Sequence, residues 1–139
     1  MAAETAGTDI VIVDAVRTAI GSFAGGLATV SAAELGATVI RALLARTKVG
    51  TQDISDVIMG QVLTAGVGQN PARQAAIKAA IPYGSTAITI NQVCGSGLRA
   101  VAMGMQAIMA GDATVVIAGG QENISLSHHS IFLRTGTKM

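Results

Sequence analysis

The sequence predicts an α/β protein with a mainly parallel, mixed sheet and helices on both faces. Short apolar runs rich in β-branched residues alternate with segments of helical period, in the order βαβαβαβ. Half of the residues are hydrophobic, mostly Ala, Val and Ile, and the 17 glycines suit closely packed layers. Such alternation predicts right-handed crossovers between parallel strands.

The first half of the chain contains two predicted strands and one helix. The β-branched run Ile10–Val16 predicts a strand that is buried on both faces. Ser31 and Glu34 form a capping-box pattern, and apolar residues then recur at helical spacing, so we expect a helix over Ala32–Lys48. The next strand is predicted at Val57–Val62.

A glycine-rich loop separates that strand from the second predicted helix. The helix should begin at Pro71, because Asn70 supplies an N-cap and proline suits the first helical position, and should end near Ala80. The third strand is predicted at Thr86–Asn91.

The third helix and the fourth strand complete the alternation. We expect a helix over Leu98–Ala110 that is buried on every face, because its only charged residue is Arg99 at its start. Thr114–Ala118 then predicts a buried strand.

Composition excludes several classes of function. The formal net charge is +1 and no basic run is present, so we expect neither a nucleic-acid nor an anionic-membrane partner. Apolar stretches are broken before the roughly 18 residues of a membrane span, and residues 1–9 lack the basic start of a signal peptide, which predicts a cytoplasmic location. Only 12% of the residues are charged, so part of the surface should pack against another partner.

Cys94, the only cysteine, lies at the corner between a predicted strand and a predicted helix. Such a corner presents a side chain at the carboxyl end of the sheet, and a helix start favours the thiolate. Gly95 and Gly97 leave room for a substrate, and backbone N–H groups there could bind an oxyanion. From spacing alone, a reactive nucleophile and a buried structural cysteine both stay open.

Two further patterns predict less. Gly95–Ala100 satisfies the dinucleotide pattern G-x-G-x-x-A, but it falls in the third strand-helix unit. The pattern also wants an acid at the end of the next strand, and Glu122, which comes close to that position, lies beyond the strand end. His128 and His129 lack ligands at metal spacing, so we expect a polar surface or interface loop and no metal site.

Four segments together resemble the thiolase family, and within it the acetyl-CoA acetyltransferases. The Cys94 segment is the most specific, and the resemblance covers almost the whole chain. The matching segments are Val16–Phe23, Gly66–Gln74, Asn91–Ala100 and Ala118–Asn123. Gln121 departs from many relatives, which have Met there, and we assign it no function.

The resemblance implies that Cys94 is the catalytic nucleophile and acyl carrier. Its thiolate would take an acetyl group from acetyl-CoA, and a second acetyl-CoA would then yield acetoacetyl-CoA; the reverse reaction is thiolysis by CoA. The Cys94 N–H would be an oxyanion donor. Coenzyme A thioesters are substrates here, and no cofactor or metal is implied. A 3-ketoacyl-CoA thiolase of fatty-acid β-oxidation stays open, as do a non-catalytic α/β assembly module and a dinucleotide-binding domain.

The resemblance also implies that this chain is an N-terminal portion. Residues 1–123 would form an α/β domain lacking its last strand, and residues 124–139 would begin a loop, of which Ser125–Lys138 joins dimers into a homotetramer. Thr86–Gln92 would pair with its copy in a homodimer, beside loop Gly66–Gln69. The activating His, a second Cys, a water-holding Asn and the CoA-binding loops would lie in a missing C-terminal half or companion chain. We therefore expect a truncated or cleaved chain, inactive alone.

Overall fold

The computed structural model describes residues 9–131 and confirms the α/β class. Three strands form one sheet, with β1 (Asp56–Gly60) between β2 (Thr86–Ile90) and β3 (Val116–Gly120). Both pairs are parallel, so the carboxyl ends of all three strands lie at one edge of the sheet. Open α/β folds place their ligands at this edge. The predictions for residues 1–8, and for the part of Ser125–Lys138 beyond residue 131, lie outside the described residues.

The three helices lie close to their predicted positions: α1 spans Ala32–Thr47, α2 spans Pro71–Lys78 and α3 spans Ser96–Ala110. At the start of α1, the Ser31 side chain caps the helix by accepting from the Glu34 N–H. The Glu34 carboxylate pairs with Arg41 and Lys78, so it does not complete the predicted capping box. At the start of α2, the Asn70 side chain caps the helix, as predicted.

The helices cover both faces of the sheet, as predicted. Successive strand side chains point to opposite faces, and Val57 and Met59 belong to the buried cluster formed with α1 and α2. Gly60 faces the other way and contacts the start of α3. The cluster residues on α1 and α2 are Ala37, Ile40, Ala72, Ala75 and Ala76, and Ala79 joins them from the C-cap of α2.

The prediction that the third helix is buried on every face is wrong for this chain. On α3 only Ser96, Ala100 and Gly104 are buried, while Leu98 is 80% exposed and Met109 is 70% exposed. The reason is that α3 packs on β1 and β3 with one side, and no second layer of the described residues covers its outer side.

The predicted strand Ile10–Val16 is also wrong. The segment contains no strand, and Ile12 is 77% exposed. A strand needs a hydrogen-bonded neighbour, and none of the described residues pairs with this segment. An ion pair between Asp14 Oδ2 and Arg46 Nε, 2.8 Å apart, connects it to α1 instead.

One stretch is longer and more apolar than the sequence analysis expected. The 18 residues Val93–Ala110 have a mean hydropathy of 1.2, enough by length and composition to cross a membrane. A single such helix is weak evidence, because apolar helices of layered folds have the same composition. Here α3 contacts two strands of the sheet along this window.

Candidate active site

Cys94 lies on the turn between β2 and α3, at the carboxyl edge of the sheet. Its side chain is exposed, which does not fit a buried structural cysteine. The preceding Val93 has a φ of +51°, a left-handed conformation that β-branched residues rarely adopt. Such a conformation persists only where the surrounding structure holds it.

Side chains hold the turn from two sides. The Asn91 Oδ1 atom accepts a hydrogen bond of 2.9 Å from the Val93 N–H. The buried Ser96 hydroxyl accepts one of 2.8 Å from the Gln92 N–H and donates one of 2.6 Å to the Val93 carbonyl. These hydrogen bonds therefore hold the backbone of Val93, the residue immediately before Cys94.

The start of α3 lies directly on the ends of two strands. A Cβ atom on Gly60 would lie 2.5 Å from the Ser96 Cβ and 2.6 Å from the Ser96 carbonyl carbon. A Cβ atom on Gly120 would lie 3.5 Å from the Gly97 Cα. Glycine at these positions lets the helix approach the sheet closely, and this approach sets the height of the Cys94 turn above the strand ends.

The hydrogen bonds of the turn leave one N–H group available beside the sulfur. The Gly95 N–H donates to the Gln92 carbonyl and the Ser96 N–H donates to the Val93 carbonyl, both at 3.1 Å. The sequence suggested that N–H groups of this turn could bind an oxyanion, but these two already have acceptors. The Cys94 N–H makes no hydrogen bond to an acceptor within residues 9–131. The sulfur itself is a free, exposed thiol.

Glu122 is occupied by the backbone. Its Oε2 atom accepts from the Val62 N–H at 2.7 Å, and its Oε1 atom accepts from the Leu63 N–H at 3.2 Å. The acid that a dinucleotide site would need for its ribose is therefore already bound at the end of β1. This arrangement gives no support to dinucleotide binding at Gly95–Ala100.

Two buried side-chain amides, those of Gln61 and Gln121, follow the ends of β1 and β3. The sequence analysis did not predict this pair. Gln121 Nε2 donates to Gln61 Oε1 at 3.0 Å and to the Pro71 carbonyl at 3.1 Å. Gln121 thus has a structural role, joining the ends of β1 and β3 to the start of α2. The signal was a Gly-Gln pair at both strand ends, where Gly60 precedes Gln61 and Gly120 precedes Gln121.

The two histidines lie on an exposed segment, as expected for a surface loop. A Cβ atom on Gly66 would lie 2.5 Å from His128 Nδ1, so the imidazole lies against the glycine-rich loop. Within the described part of the chain, no cluster of three or more His, Cys, Asp or Glu side chains could hold a metal ion.

Comparison with known proteins defines the class. The family model for the thiolase N-terminal domain matches residues 10–139. The chain therefore belongs to the thiolase family.

Individual relatives agree with this assignment. An acetyl-CoA acetyltransferase of Chromobacterium violaceum is 66% identical over 87% of this chain and 31% of its own length. A cytosolic acetyl-CoA acetyltransferase of Mus musculus is 54% identical over 96% of this chain and 34% of its own length. The chain spans about a third of the length of these relatives.

A solved structure confirms the fold. It is a thiolase from Ascaris suum in complex with coenzyme A, with a TM-score of 0.83 and 41% sequence identity. The match covers 85% of this chain and 31% of that chain.

Proposed function

We propose that this chain carries the nucleophile of an acetyl-CoA acetyltransferase. Cys94 accepts an acetyl group from acetyl-CoA, and a second acetyl-CoA converts the acyl-enzyme to acetoacetyl-CoA; thiolysis is the reverse reaction. The observation that carries the proposal is the exposed thiol on a strained, hydrogen-bonded turn at the start of α3. The names of the relatives favour an acetyl group over a longer 3-ketoacyl chain.

In the first step, the Cys94 thiolate attacks the carbonyl carbon of acetyl-CoA. The tetrahedral oxyanion accepts a hydrogen bond from the Cys94 N–H. This N–H donates to no other acceptor within residues 9–131. Collapse breaks the bond between carbon and the CoA sulfur, and CoA leaves as a thiol with the proton that Cys94 gave up. The acetyl group is then held as a thioester on Cys94.

In the second step, a base from the remainder of the protein takes a proton from the methyl group of another acetyl-CoA, and the resulting carbanion attacks the acetyl carbon on Cys94. A carbon–carbon bond forms, the bond to Cys94 sulfur breaks, and the thiolate is regenerated. The base returns this proton to the Cys94 sulfur after the sulfur has been released, so that the next cycle starts from the same protonation state. Coenzyme A as the carrier is supported by the CoA complex of the Ascaris suum thiolase.

The reaction requires groups from outside this chain. Cys94 is a free, exposed thiol, and in this proposal the base that activates it comes from the remainder of the protein. The exposed outer side of α3 offers an apolar surface on which that segment can pack. Residues 1–139 alone should therefore not turn over, and the remainder of the protein, in the same or a companion chain, completes the site.

The assembly is a homodimer or homotetramer in the cytosol. β2 is an edge strand of the described sheet, and its outer edge is available for pairing with the same strand of a second copy. The cytosolic mouse relative supports the location.

Acetylation in the intact protein tests the proposal. After incubation with acetyl-CoA, peptide mass spectrometry should find one acetyl group on Cys94, and Cys94→Ala should abolish both this adduct and turnover. Unmodified Cys94, or turnover retained in Cys94→Ala, would contradict the mechanism. Mass measurement of every chain in an active sample checks the need for a remainder, which an active sample containing only the 139-residue species would refute.

A further inference from the structure

We propose that Glu122 is a positioning residue for Cys94, acting through Asn91. The inference rests on the proposed function, because it assigns a role in presenting the same thiol. Glu122 follows the end of β3 by two residues and is 28 positions after Cys94 in the chain. A line of hydrogen bonds nevertheless joins its carboxylate to the turn before Cys94.

The first link fixes the backbone after β1. Both carboxylate oxygens of Glu122 are used, one for the Val62 N–H at 2.7 Å and one for the Leu63 N–H at 3.2 Å. Hydrogen bonds to an ionised carboxylate are about twice as strong as those between neutral groups. Two such bonds set both the position and the orientation of the Val62 peptide.

The second link carries that position to the nucleophile turn. The Val62 carbonyl accepts from Asn91 Nδ2 at 3.2 Å, and Asn91 Oδ1 accepts from the Val93 N–H at 2.9 Å. Asn91 thus uses both ends of its amide, one toward the loop held by Glu122 and one toward the left-handed residue before Cys94. Loosening the Val62 peptide should allow Val93 to relax, and the thiol would then leave its reactive orientation.

Two near-isosteric substitutions break this line at different points. Glu122→Gln keeps one acceptor oxygen and replaces the other with an NH₂ group that cannot accept a hydrogen bond from an N–H. Asn91→Asp keeps the acceptor for the Val93 N–H but loses the donor to the Val62 carbonyl. Glu34→Gln is the matched control, because Glu34 is a half-buried glutamate on α1 whose carboxylate bonds are to Arg41 and Lys78.

The experiment compares the intact wild-type protein, both single variants, the double variant and the control. We expect each single variant to slow acetylation of Cys94 by about tenfold. The double variant should be no slower than either single variant, since both cut the same line. Amide hydrogen exchange in the peptide covering residues 91–97 should be faster in the single variants, with melting temperatures near that of the control.

Glu122→Gln that matches Glu34→Gln in both acetylation rate and exchange would overturn the proposal. So would effects that multiply in the double variant, because independent contributions add in free energy. If Glu122→Gln does not fold, Asn91→Asp still tests the link to Val62. A wild-type rate of Cys94 acetylation in Asn91→Asp would also overturn the proposal. Wild-type protein that is never acetylated on Cys94 refutes the proposed function, whereas the exchange data still decide the role of Glu122.

Discussion

The two faces of the sheet differ in how completely this chain covers them. On one face, α1 and α2 pack on the sheet and on each other, and Ile40, Ala72 and Ala75 have no exposed surface. On the other face, a single helix lies on the strands, and the side chains of Leu98 and Met109 point away from them into the open. Residues 9–131 therefore bury a core on the first face and leave an apolar helix surface on the second.

This difference suggests that the residues that stabilise the fold and the residues of the proposed site lie on opposite faces of the sheet. The covered face contains the larger hydrophobic cluster, whereas the open face carries Cys94 at the start of α3. An apolar helix surface next to the proposed nucleophile suits a second layer that would both shield the helix and complete the site. Substitutions on the two faces should therefore respond differently to the presence of the rest of the protein.

The largest expected effects come from truncating one apolar side chain on each face. Ile40→Ala should cost about 2–5 kcal/mol in the free energy of unfolding, because it leaves a cavity in the covered core. Leu98→Ala should cost a similar amount in the intact protein if the remainder covers α3. If Leu98 stays exposed, the substitution should change the free energy of unfolding by no more than about 0.5 kcal/mol. Urea unfolding of both variants provides the measurement.

That pair of variants can break the comparison. A Leu98→Ala variant as stable as wild-type intact protein would mean that the outer side of α3 remains open, and the proposed second layer would have to lie elsewhere. Met109→Ala, on the same helix and similarly exposed, is the companion variant and should behave like Leu98→Ala.

The next effect concerns the contact between the open face and the sheet. Gly60→Ala should cost about 1–3 kcal/mol, because the new methyl group would overlap the Ser96 backbone. It should also slow acetylation of Cys94, since the start of α3 must move away from β1. The control is Gly119→Ala, where the nearest atom to the new Cβ would be Met59 Sδ at 3.9 Å, an ordinary contact. Equal acetylation rates in the two variants would argue against a close-packed helix start.

Local signals predicted the helices well. The Ser31 and Asn70 caps each bond a backbone N–H three residues later, so four neighbouring letters are enough to identify them. The position of Cys94 between a strand and a helix was predictable for the same reason. The acyl-transfer role of Cys94 could not be predicted from local signals. That hypothesis came from the family resemblance.

Features that depend on distant or absent partners were not predictable. Apolar residues in Ile10–Val16 and α3 indicate burial, but periodicity cannot say which chain segment supplies the covering layer. The bond from Glu122 to Val62 joins residues 60 positions apart, and only the parallel register of β1 and β3 brings them together. The sequence therefore predicted where the thiol lies and missed the carboxylate that we propose supports its turn.

A smaller effect tests how the covered face is attached to the edge strand. Asn70→Ala removes the cap of α2 together with bonds to the Ala87 carbonyl and the Thr89 hydroxyl, so we expect a loss of about 2 kcal/mol. Ser31→Ala, which removes a cap alone, should cost about 1 kcal/mol. Thermal unfolding compares the two, and equal losses would mean that the bonds to β2 contribute nothing.

The smallest effect is electrostatic and lies on the covered face. Arg41, followed by Lys78, holds the pKa of Glu34 below its ordinary value of 4.5, with Arg41 Nη2 at 2.8 Å and Lys78 Nζ at 3.4 Å from the carboxylate. A carboxylate with a lowered folded-state pKa stabilises the fold above its unfolded-state pKa, and this contribution is lost as the pH falls through the folded-state value. Glu34→Gln should therefore be slightly less stable than wild type at pH 7 and equal to it in strong acid, as measured by urea midpoints, and salt should reduce the difference. A difference that persists unchanged at low pH would show that Glu34 acts through packing rather than through charge.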